Sequence, residues 1–499
     1  MYRSAYLLLL ALPLLAHRDE PSDPAAIFKS GDYVRAIPLL QQSVAKSPKD
    51  AVLQAELLSA LVYEGRVDEA ADAADEDAQN FPQSADVLAA RGEFAFYMGD
   101  MPQAAALFNA ALKVNGENAR ATYGVYEIAY ASSMYRTARL LCMRAHQLDP
   151  DDALISLAFS RYLVGQKREE FLPDFIRTHP WFFKRAQQMQ QNTSEVRQEL
   201  NGRKIFELDG PREEVTIPIH NLQDGPRLIG QVLKVSIEGG KPLSLVLDTG
   251  ASGILLTQAA VDKAGLSHLG STEVRGIGDK GARGAFFAIA ESCAIEKLKY
   301  KTCMLGATEG KKGVAAAEDG LIGTDVFSDY IVTIDFQRHT LHLLPLPDRP
   351  PNPQGYDRDP LPTEAGFTPV FRFGHHLYIS TKVNQKSTGL FLLDTGSSLS
   401  AIDSTFARLT SKISRDERMH VTGVSGSVSQ VFEADKAELQ FARFRQRNLG
   451  LTSFNLNNSP EHQPVRMDGI LGFPVLVMFR LSLDYRNGLI NFDYVLDRR

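Results

Sequence analysis

Cysteine is scarce in this chain of 499 residues, since only Cys142, Cys293 and Cys303 occur. Three cysteines are too few for a disulfide scaffold or a Cys-rich zinc site, so the fold must depend on hydrophobic packing. Cys293 and Cys303 could pair in an oxidising compartment or remain free thiols within strands, and the sequence leaves this open.

An excess of one charge is also absent, because 54 Lys and Arg residues face 60 Asp and Glu for a net charge of −6. This balance excludes the basic footprint of a protein that wraps a nucleic-acid backbone, so we expect no nucleic-acid partner. The chain is 44% hydrophobic and 23% charged, which is typical of a folded, soluble protein. Its length predicts about three structural units of about 150 residues each.

Long apolar runs are missing except at the start, where residues 5–16 follow Arg3 and end at His17. The run is shorter than the roughly 20 residues of a membrane-spanning helix and has the length of a signal-peptide core. We therefore predict a signal peptide at 1–16, export to the periplasm or the cell exterior, and no stable membrane span. A buried terminal helix is the alternative, because Ala16 lacks a clean small-x-small cleavage pattern.

The segment after this run repeats itself with a period of 34 residues in three registers. Small residues hold two of the registers and helix breakers hold the third: Gly31, Gly65, Gly99 and Ser133; Ala36, Ala70, Ala104 and Ala138; Pro48, Pro82, Gly116 and Pro150. Between them lie Ala- and Leu-rich stretches with apolar faces at helical spacing. A helix-turn-helix unit of this length with these markers resembles the tetratricopeptide repeat.

This resemblance implies stacked helix pairs over residues 25–200, of which the part beyond Gly165 is a capping helix. Small residues suit the tight turns and the close approach of paired helices. Arrays of this kind present a concave face to peptides or proteins, so the resemblance implies a protein partner or a substrate on the repeats. A spacer that binds nothing is the alternative.

From Thr216 onward, short β-branched and apolar runs punctuated by Gly and Pro predict an all-β region. Within it, residues 245–252 (LVLDTGAS) resemble residues 391–398 (FLLDTGSS), which lie 146 positions later. Further pairs lie 149 residues apart: 319–323 with 468–472, and 332–336 with 481–485. This duplication predicts two related lobes.

The paired Asp-Thr-Gly motifs and the later apolar-apolar-Gly segments resemble those of the aspartic proteases of the pepsin and retropepsin type. The resemblance implies one lobe at 215–345 and another at 363–499, joined by a proline-rich linker at 346–362. The expected fold class is thus multidomain: an all-α tetratricopeptide-repeat solenoid followed by an all-β bilobal aspartic-protease fold.

The same resemblance implies a site that both lobes share, with Asp248 and Asp394 as the catalytic pair holding a water between them. Two carboxyl groups about 3 Å apart cannot both ionise cheaply, so the pair retains one proton and can act as acid and base. The other implied positions support the Asp loops (Thr249, Gly250, Thr395, Gly396, Ser397) or form the floor (Leu321, Ile322, Gly323, Ile470, Leu471, Gly472).

Two Gly-rich turns are predicted to close over a substrate as flaps. They are Gly276-Ile277-Gly278 in the first lobe and Gly423-Val424 in the second. A lid on each lobe is closer to the symmetric retropepsin arrangement than to pepsin, whose flap tyrosine is absent from both tips. Residues 276–281 also satisfy a dinucleotide-binding pattern, but no βαβ unit is predicted around them.

The two Asp motifs differ three residues after each Asp, where the first lobe has Ala251 and the second has Ser397. A hydroxyl there can hydrogen-bond the carboxylate and favour its charged form, which alanine cannot do. We therefore predict an activity optimum at mildly acidic to near-neutral pH.

Together these motifs predict an exported aspartic endopeptidase that uses no cofactor, no metal and no covalent intermediate. The chain has no His-Glu-x-x-His motif, and its Ser and Cys residues lack nucleophile signatures. The alternative is a non-catalytic peptide-binding scaffold with a protease-like fold.

Overall fold

The computed structural model describes residues 23–181, 194–310, 319–349, 355–415, 417, 419–458 and 464–495. The predicted signal peptide at 1–16 lies outside these residues. The described chain is helical up to Leu200 and rich in β-strands after it. This confirms the predicted order of an all-α region followed by an all-β region.

Antiparallel helix pairs fill the N-terminal region. In chain order the helices are α1 (Pro24–Lys29), α2 (Tyr33–Lys46), α3 (Ala51–Tyr63), α4 (Val67–Asn80), α5 (Ala85–Tyr97), α6 (Met101–Val114), α7 (Ala119–Ala131), α8 (Tyr135–Leu148), α9 (Ala153–Phe159), α10 (Gln166–Thr178) and α11 (Ser194–Leu200).

The 34-residue period corresponds to the turns between these helices. Gly31, Gly65 and Gly99 have φ angles of 78°, 67° and 76°, and Ser133 has a φ of 60° at the equivalent turn. Glycine is preferred there because this left-handed region penalises a Cβ atom. The four alanines of the second register are fully buried, where a larger side chain would separate the helices.

The structure reveals a fourth register of the same period, formed by N-cap residues of the helices. Asp50, Ser84, Asn118 and Asp152 are the N-cap residues of α3, α5, α7 and α9, and each side chain accepts a hydrogen bond from the first turn. These caps satisfy backbone N–H groups that the helix itself leaves without partners.

The two ends of the repeat array touch each other. Lys29 at the end of α1 lies 2.8 Å from the Asp149 carboxylate, and the Trp181 indole donates a hydrogen bond to the Ser30 carbonyl. Arg120 of α7 lies 3.1 Å from the Asp152 carboxylate. Contacts between helices of the array therefore join its first repeat to its last.

Strands dominate the rest of the chain. Those of its first half are β1 (Glu207–Leu208), β2 (Val215–Pro218), β3 (His220–Asp224), β4 (Arg227–Ile237), β5 (Leu243–Asp248), β6 (Ile254–Thr257), β7 (Leu269–Val274), β8 (Arg283–Ile295), β9 (Leu298–Thr308), β10 (Gly320–Gly323), β11 (Tyr330–Asp335) and β12 (Thr340–Pro345), with the short helix α12 (Gln258–Lys263) after β6.

The second half repeats this order of elements. Its strands are β13 (Thr368–Pro369), β14 (Phe371–Phe373), β15 (His376–Val383), β16 (Ser387–Asp394), β17 (Ala401–Asp403), β18 (Ile413–Arg415), β19 (Thr422–Gly423), β20 (Gly426–Ser427), β21 (Phe432–Asp435), β22 (Glu438–Phe441), β23 (Phe444–Arg447), β24 (Gly450–Phe454), β25 (Gly469–Gly472), β26 (Phe479–Asp484) and β27 (Leu489–Tyr494), with helices α13 (Ser404–Thr410) and α14 (Phe473–Leu476).

Each half has its own large sheet, and a six-stranded sheet joins the two halves. Its order is β13-β27-β26-β11-β12-β2, so three strands of the second half lie beside three strands of the first. β11 pairs antiparallel with β26, with Val332 opposite Leu483 and the Thr333 and Ser482 hydroxyls 2.9 Å apart. The matched segments 332–336 and 481–485 therefore lie beside each other, and one apolar core extends through both halves.

The repeats pack directly on the second half. Phe96 of α5 belongs to the same apolar cluster as Tyr378 and Leu390, and the Tyr97 carbonyl accepts a 2.7 Å hydrogen bond from the Arg466 N–H. The segment between the halves is also attached, because Asp357 accepts hydrogen bonds from the backbone and the hydroxyl of Thr137. The repeats and the second half thus share a packed interface.

Cys293 and Cys303 form a disulfide between β8 and β9, and Cys142 is a buried free thiol. Within the parts of the chain described above, no helix is long and apolar enough to cross a membrane.

Candidate active site

Two equivalent strand pairs bring the Asp-Thr-Gly motifs together. β5 ends at Asp248 and runs parallel to β10, which places Gly323 beside Asp248. β16 ends at Asp394 and runs parallel to β25, which places Gly472 beside Asp394. Each Asp residue therefore lies at the end of a buried strand, where the chain begins a tight turn at the junction of the two halves.

Crossed hydrogen bonds between Thr249 and Thr395 join these turns. The N–H of each threonine donates to the hydroxyl of the other, at 3.1 Å from Thr249 and 3.0 Å from Thr395. The hydroxyls donate in turn to the carbonyls of Leu393 and Leu247, both at 2.7 Å. Because both threonines are buried, these four bonds fix the position of one turn relative to the other.

Gly250 and Gly396 leave room for the carboxyl group of the opposite half. A Cβ atom on Gly250 would lie 3.0 Å from Cγ of Asp394, and one on Gly396 would overlap Cγ of Asp248. Each N–H also donates to the Asp two residues before it, at 2.7 Å to Asp248 and 3.0 Å to Asp394. The two carboxyl groups consequently lie against each other.

The environment of the pair favours retention of a proton. Burial and the neighbouring Asp394 carboxyl raise the pKa of Asp248 well above its ordinary value. Burial also raises the pKa of Asp394, and this rise is opposed by the backbone N–H of Ser397, a hydrogen bond from Asp248 and the N–H of Gly396. Burial therefore favours retention of one proton by the two carboxyl groups, which titrate as a coupled pair.

The expectation for the Ser397 side chain is wrong. Its hydroxyl donates to the Leu399 carbonyl at 2.9 Å, and the Ser397 backbone N–H, at 2.8 Å, is the group that bonds the Asp394 carboxylate. A backbone donor does not require a hydroxyl at this position. The exchange of Ala251 for Ser397 is therefore not the cause of a pKa difference between the two carboxyl groups.

The predicted floor residues lie below the pair and divide into two roles. Leu321 and Ile470 line the cleft. Ile322 and Leu471, on the same strands, face the apolar core instead, as the alternation of strand side chains requires. Gly323 and Gly472 allow the close approach of the Ala251 and Leu399 carbonyls.

The predicted flap residues lie at the tips of two hairpins that contact each other. The turn between β7 and β8 contains Gly276, Ile277 and Gly278, and the β19–β20 hairpin contains Gly423 and Val424. The tips are joined by backbone bonds: Ser425 donates to the Ile277 carbonyl at 3.0 Å, and Lys280 donates to the Ser425 carbonyl at 2.9 Å. Ser425, which the motif comparison did not single out, also accepts a 3.2 Å bond from the Gly276 N–H through its hydroxyl.

The apolar residue of each tip packs on the opposite half. Ile277 lies against a cluster that includes Ala401 and Phe454, and Val424 lies against one that includes Val246 and Leu321. Beneath the joined tips is a cavity of about 1740 Å³, lined by both Asp residues and both tips. Among the described residues, no group of three or more His, Cys, Asp or Glu side chains is arranged to hold a metal ion.

Two neighbouring histidines on the cleft wall were missed in the sequence. His375 and His376 lie where the β14–β15 hairpin turns, and the His376 Nε2 is 3.2 Å from the Gly250 carbonyl. Burial lowers the pKa of both rings, that of His376 to about 4. A His-His pair 18 residues before Asp394 carries no motif, so only the fold could reveal this contact.

Comparison with known protein families agrees with this architecture. Residues 233–326 match a family model described as aspartyl protease, and residues 28–94 match one described as tetratricopeptide repeat. The first match contains Asp248, the 276–278 tip and the floor strand β10, and no curated protein matches the chain. The chain is therefore similar to tetratricopeptide repeats in its helical part and to aspartyl proteases in its β-rich part.

Proposed function

We propose that this protein is an aspartic endopeptidase that hydrolyses peptide bonds with a water activated by Asp248 and Asp394. The observation that carries the proposal is the pair of buried carboxyl groups, one from each half, held together by crossed threonine bonds under two flaps. Burial and proximity are the conditions under which two carboxyl groups share one proton.

In the proposed reaction, Asp394 begins as the carboxylate and accepts a proton from the attacking water. Asp248 begins protonated and donates to the carbonyl oxygen of the scissile peptide, which stabilises the gem-diol intermediate. Asp394 then donates its proton to the leaving nitrogen, the C–N bond breaks, and a gem-diol hydroxyl returns a proton to Asp248, which restores the starting state of the pair. The N–H bonds from Gly396 and Ser397 to Asp394 favour this starting state, because they stabilise the charged form of that carboxyl group.

The flaps and the cleft walls support an extended peptide as the substrate. Ile277 and Val424 occupy apolar surfaces beside the two Asp residues, so a substrate with apolar side chains near the cut could replace these contacts. The tips must separate for a chain to enter, which requires breakage of the bonds between Ser425 and residues 276–280.

Docking of a protein substrate or partner by the repeats is part of the proposal. Tetratricopeptide repeats commonly mediate protein interactions, and here they are packed on the second half. Export is also proposed, and the disulfide between Cys293 and Cys303 supports it, because disulfides persist in oxidising compartments.

The direct test is digestion of a diverse peptide pool at pH 4 to 7 by the full-length protein and by Asp248→Asn and Asp394→Asn. We expect internal cuts in the wild type that both substitutions abolish and that a pepstatin-type inhibitor suppresses. Cleavage that survives both substitutions and the inhibitor would remove the proposal. Peptide binding without any cleavage in the wild type would favour the non-catalytic scaffold instead.

A further inference from the structure

A hairpin of each half contacts the Asp-Thr-Gly turn of the other half. The β3–β4 hairpin places Arg227 against the second turn, where its guanidinium donates to the Ser398 carbonyl at 2.8 Å. The β14–β15 hairpin places His376 against the first turn, at the Gly250 carbonyl. The two contacts differ in position, because Ser398 is four residues after Asp394 whereas Gly250 is only two after Asp248.

The Gly250 carbonyl lies in the turn that bonds the Asp248 carboxyl group. The Gly250 N–H donates to that carboxyl group at 2.7 Å, and the Ala251 N–H, on the same peptide unit as the Gly250 carbonyl, donates to the Asp248 backbone carbonyl at 3.4 Å. A donor that fixes the carbonyl therefore fixes the direction of the N–H on the same rigid plane. The corresponding unit in the second half donates from Ser397 to Asp394 at 2.8 Å.

We propose that His376 is a positioning residue for Asp248: its Nε2–H bonds the Gly250 carbonyl and holds the turn in which the Gly250 N–H bonds the Asp248 carboxyl group. This inference deepens the proposed function and rests on it for its kinetic consequences. A carbonyl oxygen can only accept a hydrogen bond, so Nε2 of His376 must carry a hydrogen. In the neutral ring Nδ1 is then unprotonated.

The surroundings of the ring favour this neutral tautomer over the working range of the proposed reaction. His376 is half-buried, and burial together with the neighbouring His375 lowers its pKa to about 4. Asp325 and Arg372 are the charged groups near the His375 ring, and they act on that ring in opposite directions. The donor therefore persists without adding a positive charge beside the two carboxyl groups.

The test compares three substitutions of similar size at position 376. In His376→Gln the amide nitrogen lies at the place of Nε2 and can donate to Gly250. His376→Asn places its amide nearer the backbone, at the place of Nδ1, and His376→Leu has no donor. His342→Gln, on β12 and paired with Glu214, is the control for loss of a histidine far from the cleft.

If His376 positions Asp248, kcat should fall about five- to tenfold in His376→Leu and His376→Asn with KM unchanged, and His376→Gln should recover most of the loss. Equal losses in Gln, Asn and Leu would overturn the proposal. A change confined to KM would also overturn it, because it would make His376 a substrate contact. Thermal unfolding of each variant identifies any loss that comes from failure to fold.

A second measurement does not depend on turnover. Carboxyl carbon shifts of Asp248 followed by NMR against pH report its titration in the resting protein. Loss of the oriented Gly250 N–H donor should raise its apparent pKa in His376→Leu and His376→Asn, but not in His376→Gln. An unchanged titration in all variants would refute the positioning role, even if the protein cleaves nothing. A shifted titration without cleavage would support that role and reject the proposed function alone.

Discussion

The two Asp-Thr-Gly turns have nearly the same hydrogen bonds within them but different contacts with the rest of the molecule. Both make the crossed threonine bonds, and both receive a glycine N–H on the Asp carboxyl group. Outside the turns, the first is held by His376 from the opposite half, and the second follows a strand, β16, whose neighbours pack on the repeats. The common interior brings two carboxyl groups together, and the rest of the molecule holds the two turns through different contacts.

The largest effect should come from removal of either member of the pair. Asp248→Asn and Asp394→Asn should each lower kcat by about 10²- to 10⁴-fold, because each removes one partner of the proton transfer. The double substitution should be little worse than either single one, since the two act as a unit. Initial rates on one cleaved peptide measure this, and additive losses would show that the carboxyl groups act independently.

The glycines next to the pair should respond unequally to alanine. Gly396→Ala should destabilise the protein by about 2–3 kcal/mol and Gly250→Ala by about 1 kcal/mol, because the added Cβ overlaps Asp248 in the first case and only touches Asp394 in the second. Neither glycine has a positive φ, so backbone strain does not complicate the comparison. Denaturant unfolding measures both values, and the reverse order would contradict this geometry.

The interface between the repeats and the second half can be tested with two equivalent glycines. A Cβ on Gly99 would lie 2.6 Å from the Asp468 carboxylate and 3.1 Å from the Leu390 nitrogen, whereas one on Gly65 meets only the Tyr97 hydroxyl at 3.5 Å. Both have positive φ, which costs alanine about 1 kcal/mol. Gly99→Ala should therefore be more destabilising than Gly65→Ala by about 1 kcal/mol or more in chemical unfolding. Equal effects would contradict the close packing of Gly99 against Asp468 and Leu390.

The smallest predicted effect is a change in how protein stability depends on pH. Because burial raises the pKa of Asp248, its contribution to stability is fully present below its unfolded pKa of about 3.9 and is lost as pH rises through the folded value. Asparagine does not titrate, so Asp248→Asn should gain in Tm relative to the wild type between pH 4 and 7. The gain for Asp394→Asn should be smaller, because backbone N–H groups already stabilise that carboxylate. Unfolding scans across this range decide whether the two gains differ.

Periodic features of the fold were predictable from the sequence. The 34-residue step locates the turns at Gly31, Gly65 and Gly99 because a positive φ restricts the residue type. The offsets of the duplicated motifs likewise predict two equivalent halves, and the resemblance to aspartic proteases implies that β10 and β25 lie at the Asp loops, as they do beside β5 and β16.

Contacts between the halves were not predictable in this way. The bonds of Ser425 to the first flap tip and of His376 to Gly250 join residues far apart in sequence, and no motif marks either residue as a contact between the halves. The error at Ser397 arose because a backbone N–H and a hydroxyl of one residue compete for the same acceptor, and only the turn geometry decides between them.

The central claim is that Asp248 and Asp394 form one acid–base pair that holds a single proton where peptides are cleaved. Carboxyl carbon NMR of protein labelled at aspartate, assigned with the two Asn variants, measures this directly. We expect two well-separated titration steps, with the plateau between them covering the pH range of activity. Two simultaneous, independent steps near the ordinary aspartate pKa of about 3.9 would contradict the account.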